Sequence, residues 1–190
     1  MVLGNLIFIC GGVRSGKSAF ALEYAELIGQ KLNNPSYVYI ASGVAFDEEM
    51  KQRIVRHQVD RESSLIKWNT IEIFAELSKE HLNFTNNNIV VWDCITTWLT
   101  NVLYKTEQFQ MDRRMTEIEK FIEGFKECLL QWKTQEVNAI IVSNEVFDEL
   151  SSKFHEVNLY REILGQLHQW IVSISDEAYE MDYSIYKRWK

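Results

Sequence analysis

The residues best suited to chemistry stand together near the start of the chain, in Gly11-Gly12-Val13-Arg14-Ser15-Gly16-Lys17-Ser18. Glycines in such a run let backbone N–H groups curl around an anion, and a helix starting just after them adds partial positive charge. Lys17 is expected to reach the β- and γ-phosphates of a nucleotide, and the Ser18 hydroxyl to ligate Mg²⁺. The spacing Gly11-x-x-x-x-Gly16-Lys17-Ser18 is that of a phosphate-binding P-loop. A second carboxylate is needed on the magnesium side, at the end of a neighbouring buried strand. Asp93, after Ile89-Val90-Val91-Trp92, fits that place. Its other reading is a cap on the helix that follows, over Thr96–Tyr104.

These residues need elements to hold them. Leu6-Ile7-Phe8-Ile9-Cys10 is a short, continuous apolar run, as in a strand buried on both faces, and it leads straight into the glycines. Ala19–Leu32 has good helix formers and ends at Asn33-Asn34-Pro35. Tyr37–Ala41, Ile89–Trp92 and Val137–Val142 read as further buried strands, the last closing on Ser143-Asn144-Glu145. Asp47 can cap a helix running to about Gln58. Met115, Ile118, Ile122, Phe125, Leu129 and Trp132 keep helical three/four spacing and predict a long amphipathic helix. Another helix is expected from about Val157 to Ser173, and a last strand or hairpin over Ala178–Tyr186. Buried strands alternating with helices predict an α/β fold of the P-loop NTPase type, with a mostly parallel sheet covered by helices on both faces. One domain is expected over residues 1–190.

Composition narrows the partners. A formal charge of −7 argues against nucleic acid, whose backbone demands basic surface. Hydrophobic residues at 46% and charged residues at 25% suit a soluble globular protein. No run is long enough to enter a membrane, and the three cysteines, Cys10, Cys94 and Cys128, lack metal-ligand spacing, so a reducing cytoplasm is expected. His57, on its predicted helix, shares a face with Met50 and Ile54 and by itself reads as a boundary histidine. His81, His155 and His168 have no partners at recognisable spacing and read as structural or surface residues.

Several fragments together resemble one family, the bifunctional adenosylcobinamide kinase/adenosylcobinamide-phosphate guanylyltransferases of cobalamin biosynthesis. They are the Gly11–Ser18 run, Tyr39-Ile40-Ala41-Ser42, Asp47-Glu48-Glu49-Met50 with Arg53-Ile54-x-x-His57, Trp68-x-Thr70-x-Glu72, Asp93–Asn101, and Val142-Ser143-Asn144-Glu145-Val146. The resemblance, carried by residues 5–146, implies phosphorylation of the corrinoid side chain's hydroxyl and then transfer of GMP from GTP to that phosphate. It implies GTP, ATP and Mg²⁺ as cofactors, His57 as the residue that carries GMP, and a symmetric homo-oligomer, a trimer. It also implies that Ser42, Gly43, Val44, Gln58, Val59, Asp60, Arg61, Glu72 and Asp93 lie around the nucleotide with the P-loop.

The later chain departs from the family's pattern. Phe147-Asp148-Glu149-Leu150-Ser151 replaces the usual Gly-x-Gly-x-x-Pro, and Met181-Asp182-Tyr183-Ser184-Ile185 replaces Ser-Gly-Ile-Pro. His168 stands where the family has Asn, within Arg161-Glu162-Ile163-Leu164-Gly165-Gln166-Leu167-His168-Gln169. Two other readings therefore stay open: a P-loop kinase for another small hydroxylated substrate, and a nucleotide-binding partner protein that has lost catalysis.

Overall fold

The computed structural model describes residues 4–43, 55, 59, 66–78, 82–147 and 152–190. Among them run β1 (Leu6–Gly11), α1 (Lys17–Gly29), β2 (Ser36–Ala41), β3 (Trp68–Glu72), β4 (Asn88–Asp93), α2 (Ile95–Thr106), α3 (Met111–Thr134), β5 (Asn138–Asn144), α4 (His155–Ile174), β6 (Glu177–Asp182) and β7 (Ile185–Arg188). The strands form a seven-stranded sheet in the order β3-β2-β4-β5-β1-β6-β7. Every pair is parallel except the β6–β7 hairpin. The expected mostly parallel α/β sheet is what forms.

Alternation along each strand divides the core into two layers. Leu6 and Phe8 of β1, with Val90 and Trp92 of β4, pack on α2, α3 and α4. Ile7 and Ile9, with Ile89 and Val91, pack on Ala21, Ala25 and Ile28 of α1. The stripe expected on the long helix supplies Ile118, Phe125, Leu129 and Trp132, all buried. Gly29 closes α1 against the Tyr37 ring, where a Cβ would collide. The helix begins at Lys17, two residues before the expected start, because Gly16 takes the left-handed conformation (φ 92°) and turns the chain directly into it.

Three buried indoles pin loops to this core through their N–H groups, as buried Trp requires. Trp92 donates to Ser42 Oγ (2.8 Å), Trp98 to the Ala75 carbonyl (3.0 Å) and Trp132 to the Leu82 carbonyl (2.9 Å). The buried Asn101 amide donates to the carbonyls of Ser42 and Phe74, both at 2.9 Å. The segment after β2 is thereby fixed to the segment after β3.

One element differs from expectation, and the last segment takes the hairpin form of the two that were expected there. β3 was not legible as a strand; it lies at the sheet edge and is partly exposed along its length, so it carries no continuous apolar run. The last segment is a full hairpin, turning at Tyr183 and Ser184, which both have positive φ (45° and 61°), as two-residue hairpin turns demand. Of the helix expected from Asp47 to about Gln58, Val55 is described and helical; most of it lies outside the described residues.

Candidate functional site

Strand order decides where a ligand can sit. The chain leaves β1 toward β2, three places along the sheet, and leaves β5 toward β6, on the other side of β1. Neighbouring strands whose connections depart in opposite directions open a crevice at their carboxyl ends. Gly11 of β1 and Asn144 of β5 are register partners there. The Glu145 N–H donates to the Gly11 carbonyl (2.8 Å), closing the floor of the crevice.

The P-loop lines this crevice. Lys17 is buried, with Nζ donating to the Gly12 carbonyl (2.8 Å) across the loop, so its ammonium is held over the loop's own backbone. Arg14 also has positive φ (62°), which bends the loop, and its side chain and that of Val13 are exposed. The Ser15 N–H reaches back to the Gly12 carbonyl at 3.3 Å. Helix α1 has no side-chain cap and no acidic residue in its first turn, so no acidic side chain of that turn would oppose an anion at its leading N–H groups. Ser18 lies in that first turn, half-buried.

The residues fit a nucleotide phosphate. Among the described residues, Ser15 Oγ is buried without a hydrogen-bond partner, a polar atom that a phosphate oxygen would satisfy. A Cβ built on Gly12 meets no described atom within 4 Å, so the loop has room on its open side. On its other side the loop rests on the hairpin. The Ser184 N–H donates to the Ser15 carbonyl (3.0 Å), and a Cβ on Gly16 would come within 2.9 Å of Ser184 Oγ.

Asp93 ends β4, half-buried, with Oδ2 accepting from the Tyr39 hydroxyl (3.0 Å). β4 is not next to β1: β5 lies between them, which corrects the expectation of a neighbouring strand. Two strand places put Asp93 roughly 10 Å along the edge from Gly11, a gap that a metal ion and phosphate oxygens can bridge. The capping reading has no support in the geometry, since α2 begins at Ile95 with Cys94 in the cap position and no side-chain cap bond. Among the described residues no group of three or more His, Cys, Asp or Glu gathers as for a metal ion. A magnesium held by the Ser18 hydroxyl, one carboxylate and the nucleotide's own phosphates needs no such group.

The remaining expected residues spread along the same edge. Ala41 is the register partner of both Asp93 and Glu72, so Ser42, Gly43, Glu72 and Asp93 share the carboxyl ends of β2, β3 and β4. Glu72 is exposed, four strand places from Gly11, or about 19 Å at ~4.8 Å per strand. The Ser42 side chain is fully buried and bonded to Trp92, so its hydroxyl serves the scaffold. Val59 is helical and exposed, whereas Val44, His57, Gln58, Asp60 and Arg61 lie outside the described residues.

Sequence reasoning assigned no role to two residues at the crevice. Asn144 donates to Thr96 Oγ1 (2.9 Å), tying β5 to the start of α2 beside Asp93. The Glu145 carboxylate accepts from the Phe147 N–H (2.5 Å). The available signal was their place at the end of an apolar run, but only the strand order puts that end beside the P-loop. Behind them His168, expected to be structural or at the surface, is buried between the rings of Phe8 and Phe147 and shares a 2.7 Å hydrogen bond with Ser143. Burial pushes its pKa down from 6.5 to about 4. Burial also pushes the Cys10 thiol up to about 12, with the Glu145 carboxylate adding to the effect and Lys17 opposing it.

Comparison with known proteins fits this site. Residues 7–184 match the model of the family described as cobinamide kinase / cobinamide phosphate guanyltransferase, so the relationship runs through the later segment in which the motifs depart. The bifunctional adenosylcobalamin biosynthesis protein CobU of Escherichia coli (strain K12) is 26% identical over 185 residues, covering 92% of this chain and 93% of that protein. Its namesake in Salmonella typhimurium is 28% identical with the same coverage. CobP of Pseudomonas aeruginosa is 32% identical over 173 residues, covering 86% of this chain and 84% of its own. With the P-loop in its crevice and the match spanning nearly the whole chain, the protein belongs to the cobinamide kinase / cobinamide phosphate guanyltransferase family.

Proposed function

We propose that this chain carries out both reactions of its family along one sheet edge, in the cytoplasm. It phosphorylates the side-chain hydroxyl of adenosylcobinamide with ATP or GTP, then transfers GMP from GTP to that phosphate, giving adenosylcobinamide-GDP. The observation that carries the reading is the cradle itself: Lys17 held over the Gly12 carbonyl, the uncapped start of α1, and the Ser15 hydroxyl, unpartnered among the described residues, all at the mouth of the β1–β5 crevice. In the first reaction the loop's N–H groups and Lys17 hold the β- and γ-phosphates and face the charge that builds as the γ-phosphoryl group moves. Ser18 and Asp93 would hold Mg²⁺, which when bound neutralises phosphate charge.

In the second reaction His57 is the nucleophile. Its neutral imidazole forms a bond to the α-phosphorus of GTP, pyrophosphate leaves, and GMP remains on the ring nitrogen. The phosphate of the corrinoid then attacks the same phosphorus and frees the histidine. Arg53, Arg56 and Arg61 are near enough in sequence for one or more to offset phosphate charge. Ser42–Val44, Gln58–Arg61 and Glu72 surround this nucleotide, and the protein works as a symmetric homo-oligomer.

Intact-mass spectrometry after incubation with GTP tests the reading. The parent protein should gain one GMP, stable in alkali and lost in acid, as a phosphoramidate is. His57→Ala should show no adduct and no guanylyl transfer while phosphorylation of adenosylcobinamide persists, because that step needs no protein nucleophile. A parent protein with no acid-labile adduct, or an adduct that survives His57→Ala, removes the guanylyltransferase half. A P-loop kinase for a hydroxylated substrate would then be left.

A further inference from the structure

A hydroxyl that attacks the γ-phosphorus must give up its proton, and among the described residues none assigned so far is placed to receive it. In the proposed function Lys17 and Ser18 serve the phosphates and magnesium; Lys17 Nζ donates to the Gly12 carbonyl and Asp93 accepts from Tyr39. The Asn144 amide is engaged with Thr96. Glu72 stands four strand places away, and Asp182 belongs to the β6–β7 hairpin, on the side of β1 away from the crevice.

We propose that Glu145 is the general base of the phosphoryl transfer; this rests on the kinase half of the function proposed above. Three observations converge on it. It directly follows β5, the strand standing between the P-loop strand and the Asp93 strand. Its backbone N–H is bonded to Gly11, the first P-loop residue, at 2.8 Å, so its position is tied to the phosphate cradle. One carboxylate oxygen, Oε1, is held by the Phe147 N–H at 2.5 Å, which orients the group; among the described residues Oε2 takes no hydrogen bond.

The step balances as follows. The substrate oxygen bonds to the γ-phosphorus as the bond from that phosphorus to the β,γ-bridging oxygen breaks. The hydroxyl proton moves to the Glu145 carboxylate, which becomes a carboxylic acid and releases the proton to water as product leaves. The nucleoside diphosphate departs with its new charge facing Lys17. A positioned base of this type contributes about 10²–10⁴-fold to a rate.

Glu145→Gln keeps the side chain's size and its acceptor for Phe147 but cannot take the proton. With adenosylcobinamide and ATP, kcat should fall by about 10²–10⁴-fold. The KM for ATP, and the Kd of a non-hydrolysable ATP analogue, should stay within roughly twofold, since a base acting in the transition state adds nothing to ground-state binding. A kcat within about threefold of the parent's overturns the assignment. So does a variant whose nucleotide affinity falls as far as its rate, which would make Glu145 a structural support of the P-loop. A parent protein that phosphorylates no adenosylcobinamide refutes the function proposed above instead. Slow hydrolysis of ATP, with water as the hydroxyl, then decides on Glu145 by the same comparison.

Discussion

His168 should make this protein's stability fall steeply in mild acid. The imidazole lies on α4 behind the crevice, between Phe8 and Phe147, with Nε2 on Ser143 Oγ at 2.7 Å and Nδ1 4.0 Å from Cys10 Sγ. Among the described residues no carboxylate touches it, and the Cys10 thiol, pushed up to about 12, stays neutral. Burial lowers the histidine from 6.5 to about 4. In the unfolded chain the ring is solvated and titrates near 6.5. Between these values the unfolded state binds more protons than the folded one, so stability rises with pH across the window. The folded state keeps its full stability above pH 6.5 and loses it progressively down to about pH 4. At about 1.4 kcal/mol per pH unit, the loss between pH 7 and 4.5 is about 2.5 kcal/mol, a large part of a typical domain's ~5–15 kcal/mol. His168→Gln keeps a polar partner for Ser143 and does not titrate. Urea unfolding of both proteins at steps from pH 4.5 to 7.5 isolates the effect, because the carboxylates titrate alike in each. The stability difference, parent minus variant, should be flat above pH 6.5 and shrink by about 2.5 kcal/mol toward pH 4.5. Parallel curves over the whole range would refute the reasoning.

Lys17→Ala should weaken ATP or GTP binding by roughly tenfold or more, on the ~1.5–3 kcal/mol scale of charge-assisted contacts. Titration calorimetry with Mg²⁺ reads this, and unchanged affinity would remove the P-loop assignment. Asp93→Asn retains an oxygen to accept from the Tyr39 hydroxyl, now 3.0 Å away, but loses the charge for magnesium. Mg²⁺-dependent turnover should therefore fall far more than nucleotide binding without Mg²⁺, and a parental kinase rate in the variant would end the magnesium role.

The chain's local chemistry was readable wherever one short segment carries the whole signal. Leu6–Cys10 and Ile89–Trp92 are apolar at every position because both sheet faces are covered, so they read as buried strands without any knowledge of their neighbours. The P-loop was equally legible, since the strand, the glycines, Lys17 and the helix that form it are contiguous in sequence. β3 escaped because an exposed edge strand needs no unbroken apolar run. The order of the strands is a different kind of information, as parallel strands pair across long crossovers and no residue spacing records which ones meet. Only the folded sheet puts β5 between β1 and β4, and so separates Asp93 from the P-loop by one strand and brings Glu145 against Gly11. Burial was likewise decided by packing: His168 has no partner at any recognisable spacing, yet α4 carries it against Ser143, twenty-five residues away, between two aromatic rings. The sequence by itself determined a glycine-rich loop between a buried strand and a helix, of a kind that can hold phosphate; the tertiary structure decided that β5 and Glu145 stand beside it, because that depends on contacts between segments far apart along the chain.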